Sequence, residues 1–278
     1  MNYYAALDVS LRSVHLCVID GDGEIQAEGQ VDSEAKAIDV FLRKLGLEIT
    51  SVGLEAGTLT QYLTYGLRDA GYQVVCMEAR QVSVALSAMR NKTDKNDARG
   101  IAQLLRTGWY SPVYIKSIES HQIRALLSSR KAVLTKCVDL ENEIRGLFKV
   151  FGIKLPPKLG HGSFDRAVRE TIETDPALCH ALLPLLDARL VLYHTFRELD
   201  NRTRHMAHQD PVCQRLMTAP GVGFVTALTF KAAVDDPTRF KRSRTVAAHF
   251  GLTPRRCLLY TSDAADEHRD VGVSGGAG

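Results

Sequence analysis

Apolar and polar residues alternate with a period of two over the first thirty positions, which marks half-buried strands. Residues 4–9 form an apolar run with Asp8 near its end and read as a buried strand. Residues 13–19 alternate through Val14, Leu16 and Val18. Asp20-Gly21-Asp22-Gly23 has hairpin-turn chemistry, and the more polar residues 24–31 suit a sheet edge. The period then lengthens. Asp32 or Ser33 is placed to cap a helix whose apolar side is Ala37, Val40, Phe41 and Leu45. Residues 52–55 give a fourth strand. Leu59, Leu63 and Leu67 give a helix ended by Gly71, and residues 73–77 a fifth strand. Hairpin-linked strands followed by alternating helix and strand predict an α/β domain with mixed pairing. Residues 82–89 lead into a further helix running to about Thr107, and Trp109-Tyr110-Ser111-Pro112 breaks it.

From residue 117 the pattern changes. Leu126, Arg130, Val133, Cys137, Leu140, Ile144, Leu147 and Phe151 recur at alternating spacings of four and three, a heptad seam with one charged interruption. Residues 152–175 read as a polar linker. Pro176 starts a second long helix through Leu178, Leu182, Leu186, Leu190, Tyr193, Phe196 and Leu199. The two helices can pair within the chain or with another subunit, and the second is favoured. Arg124, Arg130, Lys131, Lys136 and Arg145 fall largely off the seam, where they can meet RNA or DNA. Residues 212–248 read as helix, Pro220-Gly221-Val222-Gly223 turn, helix. Gly221 and Gly223 would let backbone N–H groups approach a phosphate closely, and Lys241 and Arg242 lie in a basic strip beyond.

The 45% hydrophobic and 24% charged fractions are those of a globular protein, and a net charge of +3 does not by itself announce a nucleic-acid binder. Six cysteines are scattered without a C-x-x-C pair, so reduced thiols are expected rather than a zinc site or disulfide set. No run reads as long and apolar enough to cross a membrane, and the N-terminus lacks signal-peptide character.

The candidate chemistry centres on Asn91-Lys92-Thr93-Asp94-Lys95-Asn96-Asp97-Ala98-Arg99. Thr93 or Asp94 can cap the following helix. Asp94 and Asp97 then share a face, a repulsive pair unless something positive lies between them. Lys92, Lys95, Arg99 or a hard divalent cation would serve. Asp8 and Glu55 each end a short apolar run, and a carboxylate beside a core needs pairing, hydrogen bonds or a metal. Four acids from separate elements meeting at one sheet end are what a two-metal nuclease site needs, its Mg²⁺ ions roughly 3.5–4 Å apart. Arg90, Lys92, Lys95 and Arg99 crowd the same region, where contact with a phosphate backbone is expected.

Ala6-Leu7-Asp8-Val9-Ser10, Gly53-Leu54-Glu55-Ala56-Gly57 and Lys92-Thr93-Asp94-Lys95-Asn96-Asp97-Ala98-Arg99, with the later Pro-Gly-Val-Gly and Phe250-Gly251-Leu252-Thr253-Pro254-Arg255-Arg256, resemble the DEDD transposases of the insertion-sequence 110 family. The resemblance covers about residues 1–256. It implies a RuvC-like, RNase H-like α/β domain over residues 1–115, a helical coiled coil over 116–208 that oligomerises the protein, and a small helix-hairpin-helix-like α domain over 209–256. It implies DNA transposition in the cytoplasm, guided by a structured bridge RNA. Asp8, Glu55, Asp94 and Asp97 would bind Mg²⁺ and work with a serine of the last domain that attacks DNA.

The family's nucleophilic Ser-Gly should follow Arg256 closely. Here Cys257-Leu258-Leu259-Tyr260-Thr261-Ser262-Asp263 follows instead, a string like a translated sequencing adapter. Residues 257–278 are therefore expected to be non-native, and Ser262 is not assigned the nucleophile's role. Two other readings remain: a RuvC-like structure-specific endonuclease, and a nucleic-acid-binding chain lacking the serine segment.

Overall fold

The computed structural model describes residues 1–87 and 93–252, which fall into two compact units divided after Ser117. In the first unit, strands β1 (Tyr3–Val9), β2 (Ser13–Ile19), β3 (Ile25–Asp32), β4 (Ile49–Glu55) and β5 (Val74–Met77) form one sheet in the order β3-β2-β1-β4-β5. β1, β2 and β3 are antiparallel neighbours, while β4 runs parallel to both β1 and β5. This mixed sheet, with helices on both faces, fits the expected RNase H-like α/β arrangement, and the polar third strand does lie at an edge.

Strand alternation divides the core into two layers. Ala5, Leu7, Val14, Leu16, Val18, Val52 and Leu54 face α1 (Ala35–Lys44) and α2 (Thr60–Asp69), whose Ile38, Leu42, Leu63 and Leu67 are fully buried there. Ala6, Cys17, Ile19 and Met77 face α3 (Ala79–Ser87) and α4 (Asp94–Thr107). α4 is cut cleanly at both ends. Thr93 Oγ1 accepts from Asn96 N–H at 3.2 Å, and Gly108 ends the helix with a φ of 71°. α1 departs from the expectation. Its buried side is Ile38 and Leu42, while Val40 is 58% exposed. Glu34 is its N-cap residue, and Ser33 instead donates to the Ser10 carbonyl.

The second unit is helical: α5 (Ile118–Val150), α6 (His161–Ile172), α7 (Pro176–Gln209), α8 (Pro211–Met217), α9 (Phe224–Val234), a 3-10 turn at Pro237–Arg239, and α10 (Ser243–His249). α5 and α7 lie antiparallel within the chain, since Arg130 pairs with Asp200, and Cys137 lies against Arg189. The seam is a heptad series, but one stripe away from the expected line. Ile123, Cys137, Ile144 and Phe148 are its buried members, with Arg130 and Glu141 between them. Arg130, Cys137 and Ile144 belong to both lines, whereas Leu126, Val133 and Leu140 are only half-buried and Leu147 is exposed. α7 answers with Leu182, Leu186, Arg189, Thr203 and Ala207.

Residues 152–175 hold a helix that the polar composition hid. α6 buries Phe164, Val168 and Ile172 in a single i, i+4, i+8 stripe and turns its charges outward. α8 and α9, joined by a turn with Gly221 at a φ of 80°, share a core with Ile123 and Ala207. α7 contains an 18-residue window of mean hydropathy 1.3, long and apolar enough to cross a membrane by length and composition. Its packed side, with Arg189, Asp200 and Thr203 against α5, is that of a hairpin helix.

Candidate functional site

β1 and β4 are adjacent and parallel, with Leu7 opposite Leu54, so Asp8 and Glu55 are the next residues on each strand. Alternation fixes their side. Leu7 and Leu54 enter the α1–α2 layer, so Asp8 follows Ala6 onto the other face. Glu55 follows Gly53, where a Cβ would stand 2.9 Å from Met77 and 3.0 Å from Leu105 of α4. Both carboxylates are half-buried and line one cavity of about 400 Å³ at the carboxyl ends of the strands. The loop closing it is tied down: Gly57 N–H donates to Thr60 Oγ1 at 2.6 Å, and Ala56 N–H to the Met77 carbonyl at 2.9 Å.

α4 runs opposite to β1. Gln103 and Arg106, near its end, bond the Gly23 and Gly21 carbonyls of the β2–β3 turn. Its N-terminus therefore lies at the end of the sheet that holds Asp8 and Glu55. Asp94 and Asp97 precede the buried Ala98 and Ile101 by four residues, so both continue the stripe that α4 turns to the sheet. Asp94 Oδ2 is 3.7 Å from His15 Nδ1, and His15 is the cross-strand partner of Asp8. His15 thus neighbours Asp8 in the sheet register and Asp94 through its side chain, and β1 lies between it and the strand that ends in Glu55. His15 went unremarked in the sequence, although the alternation of β2 places it on the same face as Cys17.

The basic residues divide. Arg99 is bidentate on Glu28 of β3, at 2.6 and 3.0 Å, and Lys95 reaches the same carboxylate at 2.9 Å. Hydrogen bonds from Arg99, with a smaller contribution from Lys95, hold Glu28 down to about 2. Both cations were expected to face nucleic acid; here they join α4 to β3. Arg90 and Lys92 lie outside the described residues, as do Arg255, Arg256 and the 257–278 tail. Gly223 is the N-cap residue of α9, and Lys241 and Arg242 are exposed before α10.

A second set of metal-type ligands is Cys137, Glu141 and His161, whose donor atoms lie within 4.8 Å of one another. It does not suit a cation. The Arg189 guanidinium, 1% exposed, already sits there, 2.6 Å from Glu141 and 2.9 Å from His161 Nδ1. Burial depresses the His161 pKa, which keeps its Nδ1 available to accept from Arg189. The five described cysteines are free thiols, and burial pushes Cys17, Cys76 and Cys213 up to about 11.

Comparison with known proteins bears on this site. The transposase of insertion sequence element IS1111A from Coxiella burnetii is 32% identical over 178 residues, 60% of this chain and 46% of that protein. The transposase of element IS1328 from Yersinia enterocolitica is 24% identical over 205 residues, 74% of this chain and 61% of that one. The chain thus spans about half to three fifths of the length of these curated relatives. The Thermus thermophilus RuvC structure aligns over 40% of this chain and 99% of its own, at 15% identity and a TM-score of 0.31. A family model described as transposase of the IS116/IS110/IS902 family matches residues 213–257. The model of the IS110 DEDD transposases matches residues 5–152, more than half of the chain, and so covers the strands and helix that carry the four acids. The chain belongs to the DEDD transposase family of IS110-type insertion sequences.

Proposed function

We propose that this chain catalyses the DNA strand chemistry of insertion-sequence transposition, with Asp8, Glu55, Asp94 and Asp97 holding Mg²⁺. One observation carries the reading: two acids from adjacent parallel strands line one cavity, and the acid-bearing start of α4 lies at the same sheet end. The donor set is all carboxylate oxygen, which suits a hard divalent cation. Bound there, Mg²⁺ would stabilise charge on the attacking and leaving oxygens of a phosphodiester. The protein's part is positional. β1 and β4 fix Asp8 and Glu55 at the cavity, the Thr93 cap sets where α4 begins, and His15 lies 3.7 Å from Asp94.

DNA is the substrate in this reading, with a structured bridge RNA as guide and the cytoplasm as its place of action. The Gly221–Gly223 turn, with α8 and α9 as a helix-hairpin-helix-like pair, and the exposed Lys241 and Arg242 are its phosphate contacts in the second unit. The half-buried stripe Leu126, Val133 and Leu140, left outside the intrachain seam, is where a coiled-coil contact between copies would form.

Mg²⁺-dependent stability tests the site directly. Thermal melts should show stabilisation by Mg²⁺ in the wild type. Asp8→Asn and Asp97→Asn should remove that response while leaving the metal-free protein as stable or more so, because like-charge repulsion falls. A full Mg²⁺ response surviving in both variants would sink the assignment.

A further inference from the structure

The turn between β1 and β2 stands at the cavity that holds Asp8 and Glu55, and it is tied on both sides of its tip. Ser10 N–H donates to the Ser13 carbonyl at 3.0 Å, Ser10 Oγ donates to the same carbonyl at 2.7 Å, and Ser13 N–H returns to Ser10 Oγ at 3.2 Å. From just beyond β3, Ser33 Oγ donates to the Ser10 carbonyl at 2.8 Å and Ser33 N–H to the Arg12 carbonyl at 3.2 Å. The residue between these fixed points is Leu11, 74% exposed. A lone exposed leucine is ordinary on a protein surface. This one differs in its place, because it is itself among the residues lining the acid cavity.

The rest of that lining determines what contact the cavity offers beyond its carboxylates. Val9, Leu11, Ala56 and Leu59 are apolar. Ser10 Oγ is taken by Ser13, and Thr60 Oγ1 by Gly57 N–H and the Glu55 carbonyl. No Lys, Arg, Asn or Gln is among the described residues lining it. Side chains of those types read base edges through hydrogen bonds, so a base brought to this rim meets an apolar surface instead. Leu11 is three residues beyond Asp8. That is a reach of at most about 11 Å, or about three base steps at roughly 3.4 Å each.

We infer that Leu11 is a wedge: it enters the base stack beside the phosphodiester held at the acid cavity, so the site favours DNA whose pairing is already weakened at that step. The inference rests on the proposed acid site, which brings the phosphodiester to this rim. An apolar side chain inserted between bases unstacks them, and the loss is smaller where pairing is already broken. The tied turn is what suits Leu11 to this part. On a loose loop the side chain would fold away from the stack, whereas the bonds from Ser10, Ser13 and Ser33 hold it out.

Anisotropy titrations of the full chain in Mg²⁺ test the wedge by comparing a matched DNA duplex with the same duplex carrying one central T·T mismatch. The wild type should bind the mismatched duplex about ten-fold more tightly, because part of the unstacking has been done in advance. Leu11→Ala should bind the two equally, with an unchanged melting temperature since the side chain is exposed. Leu11→Met, close in volume, should restore the preference. With 2-aminopurine at the central step of the matched duplex, fluorescence should rise on binding to the wild type and stay quenched with Leu11→Ala. Val84→Ala, which removes another apolar side chain of the same unit that is 71% exposed, should change neither reading. A mismatch preference absent from the wild type, kept in full by Leu11→Ala or lost equally in Val84→Ala overturns the wedge. Thermal melts separate the two readings. A wild type without Mg²⁺ stabilisation removes both, whereas an intact Mg²⁺ response with no effect of Leu11→Ala removes the wedge alone.

Discussion

In the sheet unit the fully buried side chains of β1 and β2 are all apolar, and the candidate acids stand where the strands leave the core. In the helical unit the seam itself is polar at intervals: Arg189 is 1% exposed, and Arg130, Glu141 and Asp200 flank it in two ion pairs. The first arrangement places acidic groups at a rim. The second consumes charge to fix how two long helices align. Charge of the same kind therefore carries different information in the two halves. At a strand end it points to chemistry, and in a seam it points to register.

The sharpest way to break this comparison is Arg189→Ala. It leaves Glu141 and His161 without their shared donor and should cost about 3 kcal/mol, read as a lower urea midpoint. The double variant Arg189→Met/Glu141→Met should recover most of that stability, because no buried charge remains unpaired. If the double variant is as unstable as the single one, the pair contributes more than mutual neutralisation.

Gly53→Val comes next. Its side chain would meet Met77 and Leu105 in a filled layer, at a cost of about 2 kcal/mol. The same push moves α4 away from the strands bearing Asp8 and Glu55, so the Mg²⁺ response should weaken even at temperatures where the variant is folded. A folded variant with an unchanged response would separate α4 packing from the acid site.

Glu28 gives a pH test of the sheet unit. Its folded pKa is held down to about 2, against an ordinary 4.5, by Arg99 and then Lys95. The stability it contributes is complete above pH 4.5 and is lost as the pH falls toward 2. Glu28→Gln should lower stability at neutral pH by on the order of 2 kcal/mol and flatten its fall across that window. A wild-type and variant difference that stays constant from neutral pH down to the acid limit would contradict the assignment.

The smallest effect is expected from Leu140→Glu. The side chain is half-buried beside the seam rather than in it, so the fold should lose less than about 1 kcal/mol. Sedimentation should nevertheless shift toward monomer if this stripe joins copies of the chain. An unchanged sedimentation profile removes it as a self-association surface.

The sheet could be read from the sequence because its buried strands are nearly pure in type. Val14, Leu16 and Val18 mark one face of β2 without ambiguity, and an acid closing an apolar run stands out against it. The long helices were harder. A seam with Glu141 and Arg189 at inward positions loses to a neighbouring line of leucines when only hydrophobicity is counted, so the expected seam slipped by one stripe. α6 escaped because Phe164, Val168 and Ile172 are three apolar positions among a dozen mostly polar ones. In α1 a one-residue rotation exchanged Val40 for Ile38, a shift that amphipathic patterns resolve poorly when both flanks are aliphatic. His15 was invisible because nothing in its own neighbourhood is unusual; only the antiparallel register with β1 brings it beside Asp8.

The parallel pairing of β1 with β4 also sets an order of assembly. β1, β2 and β3 are consecutive and close through short turns, so their contacts are local and form quickly. The β1–β4 ladder must close a loop that contains β2, β3 and α1, and α4 follows both strands in the sequence. On a ribosome, Asp8 is made first and waits through almost the whole unit for Asp94 and Asp97. If the four acids form the proposed metal site, the nascent protein can assemble it only once α4 has been made, near the end of its first unit.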